Sequence, residues 1–281
     1  MAKRKKRMSP QTMTVLAFVI ALLVCGGIAA GWLIYTMSPD ETPKPDTDTP
    51  TPDTAGDIHS VLLILTDNDA PQFVCLQVDG GNQTVQAVAL PPQTARTNDG
   101  DTLAALFAEE GASACCKEVA NLLNIDTPRY AVMTYEQTQA FIDALPRGLI
   151  YDLPEAVSHQ TDDYFLRLDM GLQTLTGGQA IKLLRYPSWK QGPLQQVNMH
   201  AELVAAWWNQ YATADYVGAL DADYAAWYDT AQTNLGIAPF TEMKAVLVTL
   251  WNQNDGTQCT AVLPKGMFVA DGDEKRYLLK G

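Results

Sequence analysis

Ser60-Val-Leu-Leu-Ile-Leu-Thr66 is the stretch that decides the fold of this chain. It is a continuous run of large apolar residues between two polar ones, and such a run is typical of a central strand buried on both faces of a sheet. Two further strand-like runs, 73–78 and 84–90, flank Asp79-Gly-Gly-Asn82. The glycines and the asparagine predict a hairpin turn, so we expect these three segments to be neighbouring strands.

Helical and strand-like patterns alternate along the rest of the chain. The predicted helices cover 113–123, 135–145, 177–184, 193–211 and 222–235. The predicted strands cover 130–134, 148–153 and 257–263, whereas 241–251 fits either a helix or a strand. This alternation predicts an α/β or mixed α+β fold, in which helices flank a central mixed β-sheet.

The N-terminal region predicts a membrane anchor. Residues 15–35 are apolar or small, and no charge lies between Met8 and Pro39. As a helix this run is about 31 Å long, which matches a bilayer core of roughly 30 Å. Cations at positions 3–7 precede the run and acids follow it, so residues 1–13 are predicted to be cytoplasmic and the chain after a transmembrane helix at 14–37 extracellular. We therefore expect a cell-membrane protein with a single span.

Two other interpretations of this segment stay open. A cleaved signal peptide has a shorter apolar core, whereas this run is longer and carries Trp32 and Tyr35 near its outer end. Leu22-Leu-Val-Cys25 is similar to a lipoprotein signal, although Val24 is larger than the small residue usual before the cysteine. We adopt the uncleaved signal-anchor as the working prediction.

Residues 38–56 form a predicted linker between the anchor and a folded domain. They contain five prolines, five acids and several threonines, a composition that cannot bury a core. Residues 57–281 contain no second linker, and we expect them to form one extracellular domain with a substantial core.

The charge of the extracellular part excludes some partners. The chain has a net charge of −13, and its first 37 residues carry five cations and no acid, so the remainder carries −18. A domain this acidic is not expected to bind nucleic acid or anionic lipid through bulk electrostatics. A local basic site or a metal ion is still compatible with this charge.

The cysteines and histidines form no recognisable metal or catalytic motif. Four cysteines follow the anchor, and none of them lies at zinc-ligand spacing from another cysteine or a histidine: Cys75, Cys115, Cys116 and Cys259. We expect buried free thiols, although an extracellular location would permit a disulfide. The histidines at 59, 159 and 200 have no catalytic neighbours in sequence, and the motifs of nucleotide-binding loops, serine hydrolases and zinc proteases are missing.

Four stretches carry a resemblance to a known family. They are the strand ending in Asp67, the strand at 85–94, the segment 119–148 with V-x-x-L-L-x-I near its start, and Leu175-Thr-Gly-Gly-Gln-Ala-Ile-Lys-Leu-Leu-Arg185. In order and in spacing they are similar to the LytR-CpsA-Psr family of cell-envelope proteins, over residues 58–265. Members of this family transfer glycopolymers from a polyprenyl pyrophosphate carrier to the cell wall. The resemblance implies the fold of that family, a Gram-positive-type envelope, and a polyprenyl-linked glycan or wall polymer as partner.

The chain departs from the family where the family binds pyrophosphate. The family's R-S-D becomes the shortened region that starts at Asp67, and P-R-D-T becomes Pro91-Pro-Gln-Thr94. R-x-R becomes Arg185-Tyr-Pro187, and R-x-x-R-Q becomes Gln196-Val-Asn-Met-His200. Transfer from a pyrophosphate needs cations placed where charge develops, or a divalent metal that bridges the phosphates. These replacements remove most of the cations.

Three hypotheses follow from this retained pattern and these lost cations. The first is an envelope pseudoenzyme that binds a polyprenyl-linked or wall ligand, or acts in envelope assembly or regulation. Its candidate ligand contacts are Lys182, Arg185, Trp207 and Trp208. The second is an active phosphotransferase, dependent on Mg²⁺ or Mn²⁺ as the resemblance implies, with these candidate catalytic residues: Asp67, Asp69, Arg96 and Arg185. The third is a non-catalytic interaction module on the same fold.

Overall fold

The computed structural model describes residues 58–67, 71–161, 164–252, 258–271 and 274–280. The predicted tail, anchor and linker at 1–56 lie outside the described residues. Among the described helices, none is both long enough and apolar enough to cross a bilayer. Residues Gly218–Thr230 fall in a second compact unit, and we describe them separately.

A six-stranded mixed sheet forms the centre of the fold, and the stretch Ser60–Thr66 lies inside it as predicted. The strands of this sheet are β1 (Ile58–Thr66), β2 (Gln72–Asp79), β3 (Thr84–Leu90), β5 (Arg129–Thr134), β10 (Gln232–Thr233) and β11 (Cys259–Val262). Their order across the sheet is β10-β5-β1-β2-β3-β11. β2 and β3 pair antiparallel across the predicted hairpin, while β1 pairs parallel with β5.

Helices cover both faces of this sheet. On one face, α1 (Leu103–Glu110) and α2 (Ala112–Leu123) pack against apolar side chains of β1–β3, including Leu62, Phe73 and Val88. The alternate residues, such as Val74 and Ala89, are also buried. The long helix α5 (Pro193–Tyr211) packs against β2, β3 and β11. Because successive residues of a strand point to opposite faces, α5 lies on the other side from α1 and α2.

A second apolar cluster lies between α5 and a group of shorter elements. These are α3 (Tyr135–Ala144), α4 (Gly177–Leu184), β6 (Leu149–Leu153), β7 (Val157–Gln160), β8 (Phe165–Leu168) and β9 (Gly171–Leu175). β6 pairs with β9 and β7 pairs with β8, both antiparallel. Helices α3 and α4 are in close contact at Gly177, where a Cβ atom would lie 2.2 Å from the carbonyl oxygen of Gln139.

A separate three-stranded sheet has the order β12-β13-β4. It consists of β12 (Gly266–Asp271), β13 (Glu274–Leu279) and β4 (Thr94–Ala95). β13 pairs antiparallel with β12 and parallel with β4. The segment that follows β3 is therefore held by a strand from the far end of the sequence.

Two α-helices and a 3₁₀-helix (Ala214–Ala219) follow α5 in the described part of the chain. Helix α6 (Leu220–Tyr228) falls in the second compact unit, and its ring of Tyr224 lies 5.6 Å from that of Tyr228. Helix α7 (Ile237–Asn252) belongs to the main unit and packs on α5 through Trp251 and Trp208, whose ring centroids are 5.8 Å apart.

The predicted element order is confirmed, with differences that have physical causes. The helix predicted at 222–235 ends at Tyr228, because the following residues pair with β5 instead. The hydroxyl of Thr233 donates to the carbonyl oxygen of Tyr130, and the side chain of Asn234 accepts from the Tyr130 N–H at 2.7 Å. The ambiguous segment 241–251 is helical. Helix α1 and the hairpins β7–β8 and β12–β13 were not predicted.

The four described cysteines are buried free thiols, as predicted. Burial is the main cause that raises the pKa of each thiol to about 12: Cys75, Cys115, Cys116 and Cys259. Such thiols act as small apolar groups rather than as nucleophiles.

Candidate functional site

The carboxyl ends of four strands meet at one edge of the central sheet, which we call the carboxyl edge. β1 and β3 are both antiparallel to β2, β5 is parallel to β1, and β11 is parallel to β3. Ligands of open α/β sheets commonly bind beside such an edge. The candidate residues can therefore be located relative to it.

Asp67 lies at the carboxyl edge, directly after β1, and its side chain is exposed. The second predicted carboxylate, Asp69, lies outside the described residues. In the described ranges there is no cluster of three or more histidines, cysteines, aspartates or glutamates that could hold a metal ion.

Arg185 caps the carboxyl end of α4 and is held over two aromatic rings. Its guanidinium carbon lies 5.4 Å from the ring centre of Tyr164 and 5.8 Å from that of Tyr135. Tyr135 follows Thr134, and Thr134 pairs with Thr66 at the end of β1. Arg185 is thus brought to the carboxyl edge near Asp67, and its charge is stabilised by the faces of two rings.

Neutral amides surround the backbone next to Arg185. The Nε2 groups of Gln72 and Gln196 both donate to the carbonyl oxygen of Leu184, at 3.4 and 3.3 Å. The Oε1 atom of Gln72 is buried without a partner among the described residues. Lys182 lies one helical turn before Arg185 and is partly exposed. The described hydrogen bonds to the Leu184 carbonyl oxygen therefore come from uncharged amides, and Lys182 and Arg185 are the cations at the end of α4.

Helix α5 contributes an apolar residue where the resemblance predicts an arginine. Met199 is 0% exposed and belongs to the apolar cluster that also includes Leu65, Tyr135 and Leu184. The next residue, His200, is buried, and its Nδ1 atom has no partner among the described residues. Burial lowers the pKa of His200 to about 4, so the imidazole is neutral at physiological pH.

A polar network on α5 was not predicted from the sequence. Glu202 accepts hydrogen bonds from the Tyr151 hydroxyl, from Gln195 Nε2 at 3.2 Å and from Asn198 Nδ2 at 2.5 Å. Burial, and next the hydrogen bond to Glu202, raise the pKa of Tyr151 well above its usual range. The only signal in the sequence is the spacing of positions 195, 198 and 202, which places three polar residues on one side of a helix.

Trp207 and Trp208 pack among other aromatic rings. Trp208 is 2% exposed and lies between Trp207 and Trp251, with ring centroids 6.5 and 5.8 Å away. Trp207 also lies 5.9 Å from Phe141 of α3, and its Nε1 group is buried without a partner among the described residues. Both side chains join α5 to neighbouring helices, and their predicted contact with a ligand stays a prediction.

The segment after β3 leads from the carboxyl edge into the three-stranded sheet. Gln93, at the position of the family's aspartate, accepts a hydrogen bond from the Tyr277 N–H at 2.9 Å through its backbone oxygen. Thr94 and Ala95 then form β4, and Arg96 follows with an exposed side chain. Arg96 therefore belongs to the end of the second sheet, whereas Arg185 stands over Tyr135 of α3 and over Tyr164, which directly precedes β8.

Comparisons with known proteins agree with this architecture. The model of the LytR_cpsA_psr family matches residues 67–259. A comparison with curated protein sequences gave no match. A structure from Eubacterium siraeum DSM 15702, described as that of a transcription regulator, has 17% identity and a TM-score of 0.72, and the match covers 86% of this chain and 94% of that one.

Two further solved structures are similar to this chain. TagV of B. subtilis has 14% identity and a TM-score of 0.62, with 79% of this chain and 91% of TagV covered. A structure of TagT bound to LIIa-WTA has 15% identity and a TM-score of 0.57, with 81% of this chain and 86% of TagT covered. At these identities the likeness establishes the fold.

Proposed function

The chain belongs to the LytR-CpsA-Psr family, and from this premise we propose that it is a membrane-anchored envelope protein that binds a polyprenyl-linked or wall glycopolymer with little transfer activity. The anchor proposed at 14–37 would keep the domain outside the cell and close to a lipid-linked ligand in the same membrane. The TagT structure with bound LIIa-WTA supports a wall polymer as the class of ligand.

The burial of Met199 is the observation that carries the proposed loss of transfer. A pyrophosphate leaving group needs convergent cations, and arginine is suited to bind two phosphate oxygens at once. Met199 is packed in the apolar cluster where the family has an arginine, and Gln196 donates to a backbone oxygen. Arg185 and Lys182 are left to meet the charge of the phosphates. Two cations can hold a phosphate group, but they offer little for the charge that develops during transfer.

The described donors at the carboxyl edge are also a poor set for Mg²⁺ or Mn²⁺. Asp67 is the carboxylate there, and Gln93 stands where the family has a second one. These ions prefer several carboxylate or phosphate oxygens. We therefore derive no metal-dependent step for this chain.

A second candidate function is retained phosphotransferase activity. It is favoured by the position of Asp67 and Arg185 at the same edge, since Thr66 and Thr134 pair directly before Asp67 and Tyr135. Arg96 would have to contribute from the end of the second sheet, and Asp69 from outside the described residues.

One assay separates these two functions. The full chain in detergent is incubated with a polyprenyl-pyrophosphate glycan, with and without Mg²⁺ or Mn²⁺, and both binding and release of the polyprenyl phosphate are measured. We expect binding without release, and about a tenfold loss of affinity in Arg185→Ala, because one charge-assisted contact is removed. Lys190→Ala, which removes another exposed cation, is the matched control. Metal-dependent release that disappears in Arg185→Ala would establish the phosphotransferase instead.

A further inference from the structure

The strand β12 forms one edge of the three-stranded sheet, and in the described chain it pairs with β13 alone. The Lys280 N–H donates to the Lys265 carbonyl oxygen at 2.8 Å, and these two residues continue the register of β12 with β13. In an antiparallel pair, such hydrogen-bonded positions alternate with positions whose backbone groups point away from the partner strand. The N–H and C=O groups of Gly266, Phe268 and Ala270 therefore point outward.

These outward groups have no hydrogen-bond partner among the residues that the structure describes. An open edge strand can pair with another chain, and proteins usually prevent this with charges, prolines or a short strand. The edge strands β10 and β4 are two residues long. β12 is six residues long, and residues 266–270 contain neither a charge nor a proline. Met267 and Phe268 are also 53% and 43% exposed, so this edge lacks the usual protection.

The outward positions of β12 are symmetric about Phe268, and a second copy of the same strand therefore fits them. When two β12 strands pair antiparallel with Phe268 opposite Phe268, Gly266 lies opposite Ala270 of the second copy. Each outward position then meets another outward position, and each such pair can exchange both of its N–H···O=C bonds. No backbone group that β12 uses to bind β13 is needed for this pairing.

The apolar side chains of β12 agree with this register. The two Phe268 rings would be neighbours on one face of the joined sheet, beside Tyr277, whose ring centre lies 5.0 Å from that of Phe268. On the other face, Met267 would lie opposite Val269 of the second copy. Aromatic and apolar pairs that face each other across two strands stabilise a sheet.

The charges at the two ends of β12 favour the same register. Lys265 directly precedes the strand, and position 271, an aspartate, ends it. With Phe268 opposite Phe268, each Lys265 lies at the level of position 271 of the second copy, so opposite charges meet at both ends. A parallel pairing in register would instead place the two lysines beside each other and the two aspartates beside each other, which is unfavourable.

We propose that β12 is a self-association surface, at which two copies of this chain join their three-stranded sheets into one continuous sheet. The strand order across it is β4-β13-β12-β12-β13-β4. A contact between two short strands is small, so the association is weak in solution. Two copies held in one membrane by the proposed anchor would have a higher effective concentration. The surface requires no ligand and is independent of the proposed function.

A cysteine crosslink tests the register in the full chain in uncharged detergent. Phe268→Cys lies opposite itself in the proposed pair, with α-carbons about 5.5 Å apart, which is within the range of a disulfide. Ala270→Cys is the matched control on the same edge, because its two copies would lie about 14 Å apart. Mild copper-catalysed oxidation should give about tenfold more dimer from Phe268→Cys. The unmodified chain gives the background from its own cysteines.

Analytical ultracentrifugation of the full chain over a concentration series measures the association itself. Ala270→Pro removes an outward N–H that β13 does not use, so the monomer should keep its melting temperature while the dissociation constant of the dimer rises about tenfold. Ala270→Thr keeps this N–H and should associate within about twofold of the unmodified chain.

Reversal of the end charges gives a second measurement that leaves the backbone unchanged. Lys265→Glu places like charges at both ends of the pair and should weaken association about fivefold, and Lys265→Glu/Asp271→Lys should restore it. Three outcomes would overturn the proposal: equal crosslinking of Phe268→Cys and Ala270→Cys, an unchanged dissociation constant in Ala270→Pro, or no recovery in the double reversal. Loss of glycopolymer binding with these three results intact would reject the proposed function alone.

Discussion

The two helical layers on the central sheet differ in their content of buried polar groups. The core under α1 and α2 consists of aliphatic side chains, one phenylalanine and three cysteines. The layer around α5 contains buried Gln195 and His200, the Glu202 network and unpartnered polar atoms. Polar groups inside a protein cost stability unless they are fully bonded. The difference indicates that the first layer serves stability alone, while the α5 layer also provides the groups of the candidate site.

The largest effect is expected in the apolar layer. Leu62→Ala removes a fully buried side chain from β1 and should lower the free energy of unfolding by about 3 kcal/mol, because a cavity is left behind. Leu63→Ala, at a partly buried position on the opposite face, should cost about 1 kcal/mol. Urea unfolding measures both. Equal losses of unfolding free energy in the two variants would contradict the tighter packing that we expect on the α1–α2 face of β1.

The next effect concerns the contact between α3 and α4. Gly177→Ala should cost about 2 kcal/mol, because its Cβ would lie 2.2 Å from the Gln139 carbonyl oxygen and force the helices apart. Gly178→Ala is the matched control, since its Cβ would lie 3.9 Å from the nearest atom. That change should be neutral or slightly stabilising within a helix. Thermal unfolding with similar losses in both variants would contradict this account.

His200 should make the stability of the α5 layer depend on pH. Its pKa of about 4 lies below the value in the unfolded chain, so its contribution is fully present above about pH 6.5 and is lost as the pH falls toward 4. Relative to the unmodified chain, the stability of His200→Gln should therefore rise by about 2 kcal/mol between pH 6.5 and pH 4.5. A stability difference that stays constant from pH 7 to pH 4.5 would refute the prediction.

The smallest effect tests the Glu202 network. Tyr151→Phe removes the hydroxyl that donates to Glu202 and should cost about 1.5 kcal/mol, because hydrogen bonds to charged groups are the stronger ones. Tyr277→Phe removes a hydroxyl that donates to the neutral Pro264 carbonyl oxygen at 2.8 Å and should cost about 1 kcal/mol or less. If both variants lost the same free energy of unfolding in denaturant, the charge of Glu202 would not strengthen its hydrogen bond with Tyr151.

The sequence allowed most of the sheet and the long helices to be predicted, because their signals are local. The run at Ser60–Thr66, the glycines at 80 and 81, and Pro193 at the start of α5 all act over a few residues. Thr233 and Asn234 bind Tyr130 more than a hundred positions away, so no local pattern could show that the helix stops at Tyr228.

The candidate site was also predictable only where its signals are local in sequence. The resemblance located Arg185, but not the rings of Tyr135 and Tyr164 that hold it, because Tyr164 lies in a hairpin without a strong sequence signal. Arg96 could not be assigned to a second sheet, since its neighbour is β13 from the far end of the chain. The Glu202 network depends on β6 meeting α5, which is a tertiary contact.

The pairing of β11 with β3 and of β13 with β4 has a consequence for how the protein is made. Both pairs join strands from the beginning and the end of the described chain, and such distant pairings close slowly during folding. While the chain is synthesised, the edge of β3 stays unpaired until residues 259–262 arrive. An open apolar edge is prone to pair with another chain. Pairing of the last strands therefore ends the period in which the open edge of β3 can pair with another chain.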